Sequence, residues 1–264
     1  MSESPPLRVL HDGRIATLVL DRPRALNTLD FAMMDALVGA IDDIARSDAR
    51  VLVITGAGPH FMAGGDLRAF ATALDRPAAE RAALFRPLIA RLHAAIETVH
   101  RMPQIVIAQA RGAVAGFGLS LLCACDLAVA ADDAYFTAAY RHIGLSPDGG
   151  GTFALTRLVG TRKALEIFLL GERFDAGEAL RLGIVNRVVP PGDLDAAVAA
   201  MARALADGPS LALRNTKALV RAAHGRSLSG QLDAEADSFT ACTATEDFAE
   251  GIASFIAKRP PRFR

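Results

Sequence analysis

The sequence predicts an α/β protein: a core of alternating strands and helices followed by an α-helical extension. Three observations carry this. Short apolar runs at residues 51–55, 105–110 and 127–130 contain no alternation, which suits strands covered on both faces. Between them lie stretches whose apolar residues recur at three and four, the spacing of a helix with one buried stripe. After Pro190-Pro191-Gly192 the pattern turns helical almost throughout, so a boundary is expected between a core at residues 1–192 and a helical region at residues 193–264.

The elements follow in order. Residues 15–20 read as a strand that runs into the turn Asp21-Arg22-Pro23-Arg24. The segment from Asn27 to Asp30 offers a cap for a helix over 31–44. The strand at 51–55 is broken by Gly56-Ala57-Gly58-Pro59. Residues 77–101 form a long amphipathic helix that stops near Pro103. A buried strand at 105–110, a helix through Leu121 and a strand at 127–130 come next, then a short strand at 135–137. Ser146-Pro147-Asp148-Gly149-Gly150-Gly151 is a strong turn signal. Residues 152–159 and 162–170 read as helices, 176–182 as a short helix ended by Gly183, and 184–189 as a strand ended by Pro190.

Bulk numbers narrow the function. The 264 residues are 52% hydrophobic and 22% charged, enough for a large core and inconsistent with disorder. Lys and Arg number 29, as do Asp and Glu, so there is no broad basic footprint for nucleic acid. Cys123, Cys125 and Cys242 are odd in number and lack metal-ligand spacing, and are expected as buried thiols in a reducing compartment. Met1-Ser2-Glu3-Ser4-Pro5-Pro6 carries no leader pattern and the C-terminus matches no peroxisomal address, so a cytoplasmic location is expected. The apolar stretch 113–131 approaches the ~20 residues of a membrane span. It contains Gly116, Gly118, Ser120 and Asp126, and is expected to be a buried helix with a glycine turn at its start, not a membrane segment.

Two glycine turns are the chemical signal. Ala63-Gly64-Gly65-Asp66-Leu67 and Ala115-Gly116-Phe117-Gly118-Leu119-Ser120 each follow a strand-like run and lead into a helix. Glycines there let a ligand approach the backbone and leave N–H groups pointing outward. Two such turns that converge would hold a negative oxygen between two donors. Ser120 occupies a place where a carboxylate would serve as acid or base, and Asp148 is the next base available. Asp148 precedes a helix, so it is also a candidate N-cap, and a helix N-terminus favours its ionised form. Asp66 reads as a helix cap that orients the Gly65 amide. The histidines show no metal-ligand pattern.

These segments resemble the crotonase superfamily, the enoyl-CoA hydratases, isomerases and relatives. The resemblance runs through Asp21-Arg22-Pro23-Arg24-Ala25-Leu26-Asn27-Thr28-Leu29, the two glycine turns, Gly144-Leu145-Ser146-Pro147-Asp148-Gly149-Gly150-Gly151-Thr152, Gly171-Glu172-Arg173-Phe174-Asp175-Ala176 and the tail around Phe255 and Lys258-Arg259. It implies a spiral of repeated ββα units, a C-terminal α-helical trimerisation region, self-association as trimers or pairs of trimers, and an acyl-CoA thioester substrate. No cofactor is implied beyond the coenzyme A carried by the substrate, and no metal.

By position, the resemblance maps oxyanion donors onto the amides of Gly65 and Phe117, where Phe117 replaces a usual glycine. The hydratases' two glutamates map onto Ser120 and Tyr140, neither a carboxylate, so hydration by that route is not expected. Relatives with one catalytic aspartate carry it at the position of Asp148, and the phrase from Phe136 to Asp148 looks most like the 1,2-epoxyphenylacetyl-CoA isomerases. The implied reaction is a proton shift with Asp148 as the single acid–base group, Ser120, Tyr140 and His93 lining the acyl pocket. Coenzyme A is expected at Arg24 and Lys258 for the phosphates, and at Ala25, Leu26 and Ala63 for the adenine end. The alternatives are a 2-enoyl-CoA hydratase with another water arrangement, aryl-CoA dehalogenase-like chemistry through His93 and Asp148, and a non-catalytic acyl-CoA- or RNA-binding relative.

Overall fold

A computed structural model describes residues 5–264; most of the Met1–Pro6 segment read for a leader pattern, Met1-Ser2-Glu3-Ser4, lies outside them. Among the described residues, six strands form one sheet in the order β1-β2-β3-β4-β6-β9: β1 (Leu7–Asp12), β2 (Ile15–Leu20), β3 (Val51–Gly56), β4 (Ile105–Ala110), β6 (Leu127–Ala131) and β9 (Arg187–Val189). β1 pairs antiparallel with β2 and every later neighbour is parallel. A second sheet holds β5 (Ala113–Ala115), β7 (Tyr135–Thr137) and β8 (Phe174–Asp175).

The period-2 geometry of a strand sorts its side chains between two layers. Leu52 and Ile54 of β3, Val106 and Ala108 of β4, and Ala128 and Ala130 of β6 face one core. They meet Leu37 and Ile41 of α1 (Phe31–Ala45), Leu92 and Val99 of α3 (Ala78–Arg101), and Leu121 and Leu122 of α4 (Phe117–Ala124). Val51, Val53, Ile107, Val129 and Ala131 face the other way, onto Leu194, Val198, Ala202 and Ala206 of α8 (Leu194–Ala206). Full burial of each Leu, Ile or Val stabilises by about 1.5–3 kcal/mol, so both faces of β3, β4 and β6 must be apolar. The expected boundary at residue 192 falls in the turn before α8, yet α8 shares a core with the sheet.

The small sheet continues by single bridges, Met62 beside Val114 and Leu29 beside Gly65. Four strands of the large sheet are thus each followed by an extended piece in the small one and then a helix: β2, Leu29, α1; β3, Met62, then α2 (Leu67–Ala71) and α3; β4, β5, α4; β6, β7, then α5 (Gly151–Val159) and α6 (Thr161–Leu170). This is the ββα spiral. α7 (Ala176–Arg181) leads into β9, and α9 (Ser210–Ala222), α10 (Leu228–Thr243) and α11 (Glu246–Ile256) complete the chain.

α9 is tied to the core by charge. Asp126 accepts from Lys217 Nζ at 2.9 Å and from Arg221 at 2.6 Å, and Lys217 also donates to Gln104 O at 2.7 Å. Cys123, Cys125 and Cys242 are free. Among the described residues no helix is long and apolar enough to cross a membrane.

Two expectations change. β5 is a separate strand that feeds the second glycine turn, which therefore does not follow β4 directly; Ala113-Val114-Ala115 merges in sequence with the apolar helix behind it. The strand expected at 184–189 is only Arg187–Val189; Ile184 and Val185 are buried in the preceding turn, so their apolarity reports burial and not pairing.

Candidate active site

The two glycine turns lie against each other because the chains that feed them are paired. Met62 N–H donates to Ala113 O at 3.0 Å and Ala115 N–H to Met62 O at 2.9 Å. Both chains then bend at left-handed glycines, Gly64 at φ +86° and Gly116 at φ +52°. A Cβ on Gly64 would lie 3.2 Å from Ala115 O and 3.5 Å from Phe117 N; one on Gly118 would lie 2.2 Å from Met62 O. Glycine is required at both for this approach. Phe117 opens α4, where the first N–H groups have no intrahelical partner. Neither Gly65 N–H nor Phe117 N–H has an acceptor among the described residues. Two donors without a protein acceptor thus lie on adjoining turns.

The first turn is held from below. Asp66 caps α2, accepting from Arg68 N at 3.0 Å and Ala69 N at 3.4 Å, as expected of it. Its other oxygen accepts from Arg22 at 2.9 Å, and Arg22 also reaches Asp30 at 2.9 Å and Thr28 O at 2.6 Å. Burial alone would raise the Asp66 carboxyl, but Arg22 and the two amides outweigh it and hold the group below the ordinary range. Asn27, left-handed at φ +56° and fully buried, donates to Ala57 O, His60 O and Phe61 O and accepts from Arg22 N. It staples the 22–30 segment to the chain entering the turn. The Phe70 ring sits over Gly65, where a Cβ would lie 2.6 Å from its Cζ, and meets Phe85 edge-on at 5.1 Å.

Asp148 faces the second turn. It is not a cap: α5 starts after Gly150, at φ +70°, with no side-chain cap bond. Its Oδ1 accepts from Tyr140 OH at 2.7 Å, and Tyr140 OH lies 3.0 Å from Ser120 Oγ. The next residue, Gly149, donates its N–H to His93 Nε2 at 3.2 Å. Gly149 is left-handed at φ +58°, and a Cβ there would lie 2.8 Å from Phe117 Cε2. The ring of Phe117 thus supports the Asp148 loop. Burial is the main influence on the Asp148 carboxyl and raises it; the Tyr140 bond and His93 oppose this without cancelling it. Burial therefore decides the direction of the shift, upward, against the downward pull expected of a helix N-terminus. Burial, with the charge of Asp148, raises the Tyr140 phenol, so it remains protonated.

Gly65, Phe117, Ser120, Tyr140, His93 and Asp148 are therefore gathered into one region. Of Ser120 and Tyr140, expected to line a pocket, Tyr140 turns its hydroxyl onto Asp148 and Ser120 turns its own onto Tyr140. Arg24 is exposed in the turn Pro23–Ala25, and Leu26 O accepts from Ala63 N at 3.1 Å, which places residues 24–26 beside the first glycine turn. Lys258 is exposed beyond α11 at φ +52°, and no hydrogen bond or ion pair among the described residues joins it to that segment. The sequence marks Asn27 only within a helix-cap segment and Arg22 only within a turn; their support of the first glycine turn comes from contacts made in the fold. Arg22 and Asn27 stand within the Asp21–Leu29 phrase, where a polar residue amid turn formers was the available signal. Among the described residues, no group of three or more His, Cys, Asp or Glu side chains could hold a metal.

The family described as enoyl-CoA hydratase/isomerase matches residues 11–264. A curated relative from Rhodobacter capsulatus named "Probable enoyl-CoA hydratase" is 37% identical over 249 residues, covering 94% of each chain. The 1,2-epoxyphenylacetyl-CoA isomerase of Escherichia coli is 34% identical over 254 residues, again covering 94% of each. The solved structure of an enoyl-CoA hydratase from Polaromonas sp. JS666 superposes with a TM-score of 0.90 at 35% identity, covering 98% of this chain and 99% of that one.

Proposed function

The chain belongs to the enoyl-CoA hydratase/isomerase family, and on that premise we propose that it isomerises an enoyl-CoA by a proton shift, with Asp148 as its only acid–base group. The observation that carries this reading is the Ser120–Tyr140–Asp148 cluster: three side chains, one carboxylate, two hydroxyls bonded behind it.

In a 3-enoyl thioester, Asp148 takes the proton from C2. The C2–H electron pair passes into the thioester, and the negative charge collects on its oxygen as a dienolate. The amides of Gly65 and Phe117 hold that oxygen; one such donor typically lowers the barrier by about 2.7–4 kcal/mol. The electrons then return, C2=C3 forms, and C4 takes the proton back from Asp148. The raised carboxyl of Asp148 suits the return step, for which an ordinary carboxylate is a weak acid. The chemistry calls for no resident cofactor. Arg24 and Lys258 are assigned to the coenzyme A phosphates, and Ala25, Leu26 and Ala63 to the adenine end. Phe239, Phe255 and Ile256, exposed on α10 and α11, suit self-association, through which Lys258 of a second copy would reach the site.

Hydration of a 2-enoyl-CoA is the second reading, favoured by the names of the relatives from Rhodobacter capsulatus and Polaromonas. Asp148 would then activate the water. Dehalogenase-like chemistry is less favoured, because His93 Nε2 is occupied by the Gly149 amide. A panel of saturated, 2-enoyl, 3-enoyl and aromatic CoA thioesters, read for both double-bond movement and water addition, tests the assignment. Movement of the double bond without water addition supports isomerisation; water addition alone overturns it in favour of hydration.

A further inference from the structure

We propose that Ser120 and Tyr140 form a one-way hydrogen-bond relay that fixes which oxygen of Asp148 handles the proton. This rests on the reading of Asp148 as the acid–base group, but the relay itself is a property of the unliganded protein.

The direction follows from counting protons. An ionised carboxylate only accepts, so at 2.7 Å Tyr140 OH must donate to Asp148 Oδ1. A phenol has one proton, and it is now used. The 3.0 Å contact between Ser120 and Tyr140 is therefore Ser120 O–H donating to the Tyr140 oxygen. Ser120 and Tyr140 are both buried, at 2% and 7% exposure, so water does not readily replace either partner. Asp148 Oδ2 accepts no hydrogen bond from another residue among those described.

The consequence is a division of labour within one carboxyl. When Asp148 takes a proton, Oδ1 still accepts from Tyr140, and the new proton sits on Oδ2. The oxygen that removes the proton is the one that returns it, from the same side of the substrate. Tyr140 and Ser120 are positioning residues: they act through Asp148, and Ser120 acts only through Tyr140. The groups facing Asp148 are Tyr140, His93 on α3 and Ser120 on α4.

The test is an NMR titration of unliganded protein with carbon-13 carboxyl-labelled aspartate, the Asp148 resonance being assigned by its loss in Asp148→Asn. Removing a donor to a charged acceptor disfavours the ionised form. In Tyr140→Phe the Asp148 midpoint is expected to rise by about one pH unit. In Ser120→Ala it rises by less, and the Tyr140→Phe, Ser120→Ala double variant matches Tyr140→Phe alone. In turnover, Tyr140→Phe lowers kcat with KM unchanged, and the acid limb moves up with the NMR midpoint. An unmoved midpoint in both single variants overturns the relay, as does a further shift when Ser120→Ala is added to Tyr140→Phe. Ser120→Ala gives the answer by itself if Tyr140→Phe does not fold. Retained turnover in Asp148→Asn, with the midpoints moving as described, would overturn the assigned reaction and leave the relay standing.

Discussion

Gly149 N–H donates to His93 Nε2 at 3.2 Å, so a histidine on the long helix α3 holds the backbone next to Asp148. The same glycine seats the ring of Phe117. The Asp148 loop is therefore fixed from three sides, by Tyr140 at the carboxylate, by His93 at the following amide, and by Phe117 beneath. That arrangement determines what each substitution does.

His93→Ala removes the acceptor of a buried amide. An unsatisfied buried donor costs about 1–3 kcal/mol, and a loss in this range is expected in urea unfolding, with a fall in kcat as the loop loosens. His93→Gln, whose side-chain oxygen can accept, recovers part of both. Equal stability of His93→Ala and wild type would show that the bond does not hold the loop.

Asp148→Asn is expected to stabilise the protein at neutral pH. The folded carboxyl lies above its ordinary value of 3.8, raised chiefly by burial. Between 3.8 and that raised value the folded state keeps a proton that the unfolded state has lost, so stability falls as pH rises through the window and stays lower above it. The amide variant has no such penalty. Thermal unfolding of the two proteins should converge in acid and separate towards neutral pH, with the variant higher; a lower midpoint for the variant at neutral pH contradicts the burial argument.

Two glycine substitutions should differ in kind. A Cβ on Gly118 would strike backbone, Met62 O at 2.2 Å, and must separate the two turns. Gly118→Ala is expected to cost about 3 kcal/mol and to lower kcat about 100-fold or more. A Cβ on Gly65 strikes the Phe70 ring, a side chain that can turn aside. Gly65→Ala should keep most of its stability, at a cost of about 1 kcal/mol. Chemical denaturation and turnover on both proteins check the order.

Asn27→Ala should cost about 2–3 kcal/mol, because the carbonyls of Ala57, His60 and Phe61 and the Arg22 amide lose their partner together. Melting measured beside Thr28→Ala, which removes only a bond to Ala25 O, separates this from a generic loss in the segment.

What was legible in the sequence was whatever depends on local chemistry. β3, β4 and β6 announced themselves because burial on both faces demands unbroken apolar runs. The glycine turns and Asp148 stood out by residue type. β1 was not marked: Arg8 and His11 break the apolar pattern of an edge strand whose pairing with β2 is what defines it. The capping reading of Asp148 failed because the left-handed Gly150, not Asp148, is the residue that precedes α5, and no side chain caps it. Asn27 bonds to carbonyls more than 30 positions on, and the Ser120 and Tyr140 hydroxyls meet across 20 residues. No spacing rule encodes such contacts; they exist only once the spiral has closed.

The most direct measurement follows a 3-enoyl-CoA as it becomes a 2-enoyl-CoA, with wild type and Asp148→Asn compared under conditions where both bind the thioester equally. Wild type is predicted to move the double bond and the variant to bind without turnover. Undiminished turnover by the variant would contradict the assignment of the proton transfer to this carboxylate.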